Sequence, residues 1–329
     1  MKGVAIIANP SAGKDIRRLV ASGRVISNQE KANIITRFVK GLAYKGVRNI
    51  YFMPDKSGLF RPCIDELKND IEVNFLDTKH FDGPQQTLYA SKLIKELDCA
   101  CVLVIGGDGS MLSAAKLFSH LNCPFLGVNL GKVGFMADLD SENLTNELPE
   151  VLSGKNLLEE KETLSCIYNG EEYTAFNEIV LHTQKSYKLM HFELKIEDNL
   201  IYRKRADGLI ISTSNGSTAY SLSAGGPILS PEVKGLVITS LNPLSLSARP
   251  LIVPSDSKIE VNLIKTPSDL NSFIIIDGNQ EVKIEDKKDF KVTKSEKSFK
   301  LLHPVGHDFF KTCRDKLHWS LSKDENSSN

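Results

Sequence analysis

Apolar residues gather in short unbroken runs, separated by helical stripes, over the first half of the chain. Over the second half they alternate with polar ones. The strongest run is Cys99-Ala-Cys-Val-Leu-Val-Ile105, closed by Gly106-Gly-Asp-Gly-Ser110. An unbroken apolar strand of this length is covered on both faces, as strands of parallel sheets are. Residues 111–118 follow with helix formers at apolar spacing, so 106–110 is predicted to turn from the carboxyl end of a strand into a helix. Further strands are predicted over 4–8, 49–53, 71–76 and 124–129. Between them, 28–44 places Ala32, Ile35, Val39 and Leu42 at helical spacing, with Asn28 as a candidate cap. A short helix is predicted over 62–68 and another over 84–97, with Tyr89, Leu93 and Leu97 on one stripe. Ser141 is placed to cap a helix carrying Leu144, Leu148 and Leu152. Repeated βα units with right-handed crossovers build a doubly wound parallel sheet.

Near Leu157 the texture changes. Phe192, Leu194 and Ile196 share one strand face, as do Ile259, Val261 and Leu263, and then Val282 and Ile284. Turns such as Glu197-Asp-Asn199 and Asp277-Gly278 separate such segments, which predicts an antiparallel sandwich or layered β domain. After His303 a helical stripe returns (Phe309, Phe310, Cys313, Leu317) before a polar, frayed end. The expected fold is α/β: a doubly wound parallel-sheet phosphate- or nucleotide-binding domain over 1–156, and an antiparallel all-β domain over 157–304. The tail, 305–329, is expected to cross back to the first domain.

Composition narrows the partners. The chain has 329 residues, enough for two cores, and its 41 Lys and Arg balance 41 Asp and Glu. No global charge therefore favours nucleic acid or an anionic membrane. The basic cluster Tyr202-Arg-Lys-Arg205 is either an anion site or a solvated face. Six cysteines, at 63, 99, 101, 123, 166 and 313, form no Cys-x-x-Cys pair, and seven scattered histidines show no metal-ligand spacing. Cysteines embedded in apolar runs behave as small hydrophobes and point to a reducing compartment. Without a signal peptide or a membrane-length apolar span, the expected location is cytoplasmic.

Two stretches carry chemistry. Ligands of open α/β sheets sit outside the carboxyl ends of strands, where backbone N–H groups face outward. Gly106, Gly107 and Gly109 would let a phosphate approach the backbone. Asp108, an acid among phosphate-binding glycines, is either a base for a hydroxyl nucleophile, a partner for a metal ion, or the cap of its own helix. The turn lacks a P-loop lysine, and Asn9-Pro-Ser-Ala-Gly-Lys14 lacks the upstream glycine of a P-loop. The second stretch runs from Arg205-Ala-Asp-Gly-Leu209 through Gly216-Ser-Thr-Ala-Tyr-Ser-Leu-Ser-Ala-Gly-Gly-Pro227. Its small residues admit a ligand to the backbone, and its hydroxyls both donate and accept. A plain Ser/Gly-rich loop is the alternative.

These two stretches, with Gly127-Val-Asn-Leu-Gly-Lys-Val-Gly-Phe135, Phe176-Asn-Glu178, Ser247-Ala-Arg-Pro250, Leu302-His-Pro304 and Trp319, resemble the NAD kinase family in order and spacing, over roughly residues 100–320. The resemblance implies Mg²⁺-dependent transfer of the γ-phosphoryl group of ATP to the 2′-hydroxyl of the adenosine ribose of NAD, giving NADP. It implies Asp108 as the proton acceptor, beside Gly106, Gly107 and Gly109. Asn177 and Glu178 would hold the adenine and the ribose hydroxyls. Arg205 and Asp207 would line the pocket, with Asp207 toward the nicotinamide end. Thr218, Ala219, Tyr220, Ser221, Leu222 and Ser223 would contact the dinucleotide, with Asn129 and Lys188 as further contacts. Mg²⁺ would be held mainly by nucleotide phosphates, ATP or polyphosphate would be the donor, and a homodimer or homotetramer is implied. Plainer roles compete: Asn177 and Glu178 as strand-edge polar residues, Arg205 and Asp207 as a surface ion pair worth about 0–1 kcal/mol, and Tyr220 as core filling. Rival functions are a lipid or small-alcohol kinase sharing the glycine turn, and a non-catalytic NAD-binding sensor. The chain departs from the family pattern at Thr213-Ser-Asn-Gly216, Leu244 and Asp277-Gly-Asn-Gln280. Its first 95 residues are closer to the acetoin-catabolism-associated branch of the superfamily, and Asn-Pro-x-x-Gly also opens lipid kinases.

Overall fold

The structure is a computed structural model that describes residues 3–8, 27–53, 58–76, 99–118, 123–129, 134–137, 139–140, 144–183, 189–265, 271–285, 289–317 and 319. The expected 84–97 helix, the Asn9–Lys14 turn, the Ser141 cap and Lys188 lie outside these residues. The chain divides into two compact units, 1–160 with 299–329, and 161–298.

In the first unit, strands β1 (Gly3–Ala8), β2 (Asn49–Phe52), β3 (Glu72–Phe75), β4 (Cys99–Ile105), β5 (Phe125–Asn129) and β6 (Leu139–Asp140) pair parallel throughout. The order β3-β2-β1-β4-β5 puts the Cys99–Ile105 run inside the sheet, between β1 and β5. Its last five side chains are buried, as an apolar run without alternation requires. Val4, Ile6, Cys101, Leu103 and Ile105 share one cluster with helix α1 (Asn28–Tyr44), α2 (Arg61–Leu67) and α4 (Leu144–Leu152), while α3 (Asp108–Phe118) follows β4 directly. Helix α1 is capped one residue earlier than the sequence suggested. The hydroxyl of Ser27, not the side chain of Asn28, accepts the Glu30 N–H at 3.1 Å.

The second unit is antiparallel. One sheet runs β14-β13-β12-β9-β16-β17, where β9 is Glu178–Thr183, β12 Gly208–Ser212, β13 Gly235–Leu241, β14 Leu251–Pro254, β16 Ser272–Ile276 and β17 Gln280–Ile284. Its other strands include the hairpin β7 (Asn156–Tyr168) and β8 (Glu171–Ala175), and the hairpin β10 (Met190–Ile196) and β11 (Asn199–Ala206) with β15 (Ile259–Lys265) beside β10. The inward faces predicted from alternation, Phe192 and Leu194 on β10 and Ile259, Val261 and Leu263 on β15, meet in one core. Glu197 and Asp198 take positive φ at the β10–β11 turn, as a tight hairpin with the strands' own twist requires. The last strand, β18 (Asp289–Pro304), pairs antiparallel with β15 through Asp289 to Val292, and parallel with β5 through Leu301 and Leu302. It thereby returns the chain to the first unit, where helix α6 (Phe309–Leu317) follows. On α6, Thr312 and Cys313 are buried and Phe310 is half exposed, so the inward stripe is narrower than the apolar pattern implied. Among the described residues no helix is long and apolar enough to cross a membrane.

Candidate active site

The glycine turn sits where the pattern placed it, between β4 and α3. Gly106 donates its N–H to the Val128 carbonyl at 2.9 Å, which ties the turn to the neighbouring strand. A methyl group added at Gly107 or Gly109 would meet nothing within 4 Å among the described residues. Packing among the described residues therefore does not demand these glycines; a ligand approaching the backbone would.

Asp108 does not cap its own helix. Its carboxylate accepts the backbone N–H groups of Phe135 (Oδ2, 3.0 Å), Met136 (Oδ1, 2.9 Å) and Ala137 (Oδ1, 3.2 Å), and Oδ2 also takes the Lys316 ammonium from α6. The loop wraps it closely: a Cβ at Gly134 would stand 2.1 Å from Asp108 Oδ1. Asn129, buried at the end of β5, holds the same loop by donating to the Ala137 carbonyl at 3.3 Å, while its own Oδ1 is buried and finds no hydrogen-bond partner among the described residues. Burial pushes the Asp108 carboxyl up. The Lys316 charge and hydrogen bond, with the N–H groups of Met136 and Phe135, outweigh it and hold the group below its usual range. Lys316 also lies 4.7 Å from the centroid of the Phe135 ring, and that ring packs 5.8 Å from Phe309 at the start of α6. Asp108 thus stands as a fixed, ionised carboxylate. Among the described residues no group of three or more His, Cys, Asp or Glu side chains could hold a metal ion.

A second constellation forms in the β unit. Phe176, Asn177 and Glu178 turn a corner into β9, and Asp277 holds that corner by accepting their three backbone N–H groups at 2.7–3.2 Å. Glu178 is buried at the start of β9. The 3₁₀ turn Asn215–Thr218 lies against the corner so closely that a Cβ at Gly216 would be 2.1 Å from the Asn177 carbonyl oxygen. Asn215 donates its side-chain amide to Asn177 Oδ1 at 2.6 Å, and the Thr213 hydroxyl donates to the Phe176 carbonyl at 2.7 Å.

The remaining predicted residues divide. Asp207 is buried, with Oδ2 accepting from Asn242 at 2.9 Å and Oδ1 finding no hydrogen-bond partner among the described residues. It is not half of a surface ion pair with Arg205, which is itself exposed. Tyr220 is 43% exposed at the start of the short helix α5 (Tyr220–Ser223), so it does not fill the core. Thr218 donates to the Asn215 carbonyl at 3.1 Å, and the Ala219 N–H donates to Gly216 at 2.9 Å. Leu222 is half-buried and Ser223 exposed. Ser221 is fully buried with its hydroxyl 3.4 Å from that of Thr239, a structural placement. The sequence reading missed Asp277, Asn215, Asn242 and Lys316. Only Asp277 carried a local signal, the Asp-Gly turn, and nothing local said what its carboxylate would hold.

Comparison with known proteins agrees with the two constellations. The ATP-NAD kinase N-terminal domain matches residues 4–156, and the ATP-NAD kinase C-terminal domain matches residues 176–304. The N-terminal match includes most of the first 95 residues. An NAD kinase from Teredinibacter turnerae is 42% identical over 227 residues, covering 68% of this chain and 77% of that protein. One from Saccharophagus degradans is 40% identical over 260 residues, covering 77% and 88%. Yeast NADH kinase, solved with NADH, aligns with a TM-score of 0.73 over 98% of this chain and 89% of that one, at 22% identity. An Archaeoglobus fulgidus NAD kinase, solved with ATP, gives 0.61 over 82% and 96%, also at 22% identity. At that identity the two structures speak for the fold alone. With both domains matched and relatives at 40% identity and above, the chain belongs to the NAD kinase family and is a phosphotransferase.

Proposed function

We propose that this chain transfers the γ-phosphoryl group of ATP to the 2′-hydroxyl of the adenosine ribose of NAD, with Asp108 as the acceptor of the hydroxyl proton. The observation that carries the assignment is the fixed carboxylate at a glycine turn whose backbone stands open at Gly107 and Gly109. A carboxyl held below its usual range is a weak base. A loose phosphoryl-transfer transition state asks little more, because the nucleophile's proton is lost late and positioning supplies most of the rate. Phosphates would lie on the N–H groups of the turn, and Asn129 Oδ1 is a buried acceptor beside the same loop. In the β unit, the Asn177–Glu178 corner would read the adenosine, since an ionised Glu178 accepts from both hydroxyls of a ribose. Asp207 Oδ1, buried without a donor, would take an N–H of the nicotinamide end. The exposed Tyr220, with Thr218, Ala219, Leu222 and Ser223, would border the dinucleotide, and Ser221 would brace them.

Mg²⁺ would be carried by the phosphate oxygens of the nucleotide, where it neutralises charge. Cysteines that are free and mostly buried as small hydrophobes support a reducing, cytoplasmic location. The family resemblance supports a homodimer or homotetramer.

Incubating the pure protein with ATP, Mg²⁺ and NAD, then assaying with an NADP-specific dehydrogenase, tests the reading. NADP should accumulate. An Asp108→Asn variant should lose about 10²–10⁴-fold in kcat with a modest change in the KM for NAD. Dinucleotide binding without NADP formation would point to a sensor instead.

A further inference from the structure

The four donors around Asp108 are not alike. Phe135, Met136 and Ala137 offer N–H groups of a loop fastened again by Asn129 and closed over the carboxylate at Gly134. The fourth donor is the Lys316 ammonium, at the end of a flexible four-carbon stem and 34% exposed. A carboxylate has about four lone-pair sites. An acceptor hydroxyl therefore reaches Asp108 only in exchange for one of these donors. Three belong to the backbone. Lys316 is the one able to swing aside.

The turn also lacks a positive charge of its own. Residues 106–110 contain no Lys or Arg, although phosphoryl transfer gathers negative charge on the transferred oxygens and needs cations placed against them. An ammonium released from Asp108 Oδ2 stays within reach of that same turn.

Resting on the reading of Asp108 as the proton acceptor, we infer that Lys316 is a further catalytic residue, yielding Oδ2 to the acceptor hydroxyl and carrying its charge onto the transferred phosphoryl group. In this step the hydroxyl proton passes to Asp108 Oδ2, and the hydroxyl oxygen bonds to the γ-phosphorus. The bond from that phosphorus to the β,γ-bridging oxygen breaks, and its electron pair leaves with ADP. Lys316 keeps its protons throughout. The α6 helix thus belongs to the phosphoryl site, although it lies 208 residues from Asp108 in sequence.

Lys316→Met keeps much of the stem and removes the charge. Its kcat for NADP formation should fall about 10²–10³-fold, while the KM for NAD stays within about twofold. Lys316→Arg should recover at least about a tenth of the parent kcat. Lys311→Met removes an exposed lysine of the same helix, paired with Asp315, and should turn over like the parent. If Lys316→Met does not fold, Lys316→Gln compared with Lys316→Arg reads the same charge. A Lys316→Met kcat within about threefold of the parent, or a loss confined to the KM for NAD, overturns the inference. A rise in kcat overturns it too, because Lys316 would then be a lock on Asp108. A parent protein that forms no NADP defeats the functional reading instead, so the two failures are told apart.

Discussion

Asp277 Oδ1 lies 2.7 Å from the backbone nitrogen of Asn177, a hundred residues earlier in the chain. The same carboxylate takes the N–H groups of Phe176 and Glu178, so one turn residue organises the whole corner. Asp277 can do so because it sits at φ 46° in a hairpin turn, followed by Gly278 at φ 67°, and Asp tolerates that left-handed region. Asp277→Asn keeps the turn but removes the charge from three hydrogen bonds. It should cost about 1.5–3 kcal/mol of stability, read as a shifted urea midpoint with an unchanged slope. The KM for NAD should rise about tenfold with kcat little changed, because binding rather than chemistry depends on this corner.

Gly134 marks the opposite case, a glycine that the protein's own packing demands. Its missing side chain leaves room for Asp108 Oδ1, which a Cβ would approach to 2.1 Å. Gly134→Ala must push either the carboxylate or its loop aside. It should cost about 1–3 kcal/mol and lower kcat at least about tenfold through the displaced base. Gly107→Ala meets open space and should melt like the parent, with its penalty in the KM for ATP. Thermal melts and steady-state kinetics on the two variants separate these outcomes.

How much of this was legible in the sequence follows from how local each signal was. The β4 strand and its turn are set by neighbouring residues, so an unbroken apolar run followed by Gly-Gly-Asp-Gly placed them. The alternating faces of β10 and β15 were legible for the same reason, since a period of two needs no partner to be read. The Asp108 environment was not, because its donors come from residues 135–137 and from Lys316, far along the chain. Tyr220 could be read either as a dinucleotide contact or as core filling, because aromatic character alone does not separate the two; the position of its short helix leaves it exposed. Ser27 took the cap expected of Asn28 because both residues cap well and one residue of register decides between them.

The depressed carboxyl of Asp108 fixes a pH dependence. Its ordinary value is 3.8, and the folded value lies lower. Well above 3.8 the group is ionised in both folded and unfolded chains, and its contribution to stability is complete. As pH falls through that value the unfolded chain takes up its proton first, and the contribution is lost by the time the folded carboxyl protonates. The stability difference between the parent and Asp108→Asn should therefore stay level from about pH 7 to pH 5 and shrink below about pH 4, measured by urea titration across that range. The kcat/KM profile of the parent should show no acid limb from this carboxylate above about pH 5.

Asn215, in the 3₁₀ turn against the corner, donates its side-chain amide to Asn177 Oδ1 at 2.6 Å. That bond fixes which way the Asn177 amide faces: with Oδ1 occupied, its nitrogen is the end left to offer hydrogen to a ligand acceptor. Asn215→Ala releases the amide to rotate without touching Asp277 or the backbone of the corner. One neutral hydrogen bond is worth about 0.5–1.5 kcal/mol, so the KM for NAD should rise about two- to tenfold at unchanged kcat. Asn215→Asp presents an acceptor to Asn177 and should turn its amide over, so that Oδ1 faces the ligand. If the amide nitrogen of Asn177 reads the adenine, Asn215→Asp raises the KM more than Asn215→Ala does. An Asn215→Asp variant that binds NAD as the parent does would show that the orientation of Asn177 has no part in recognition.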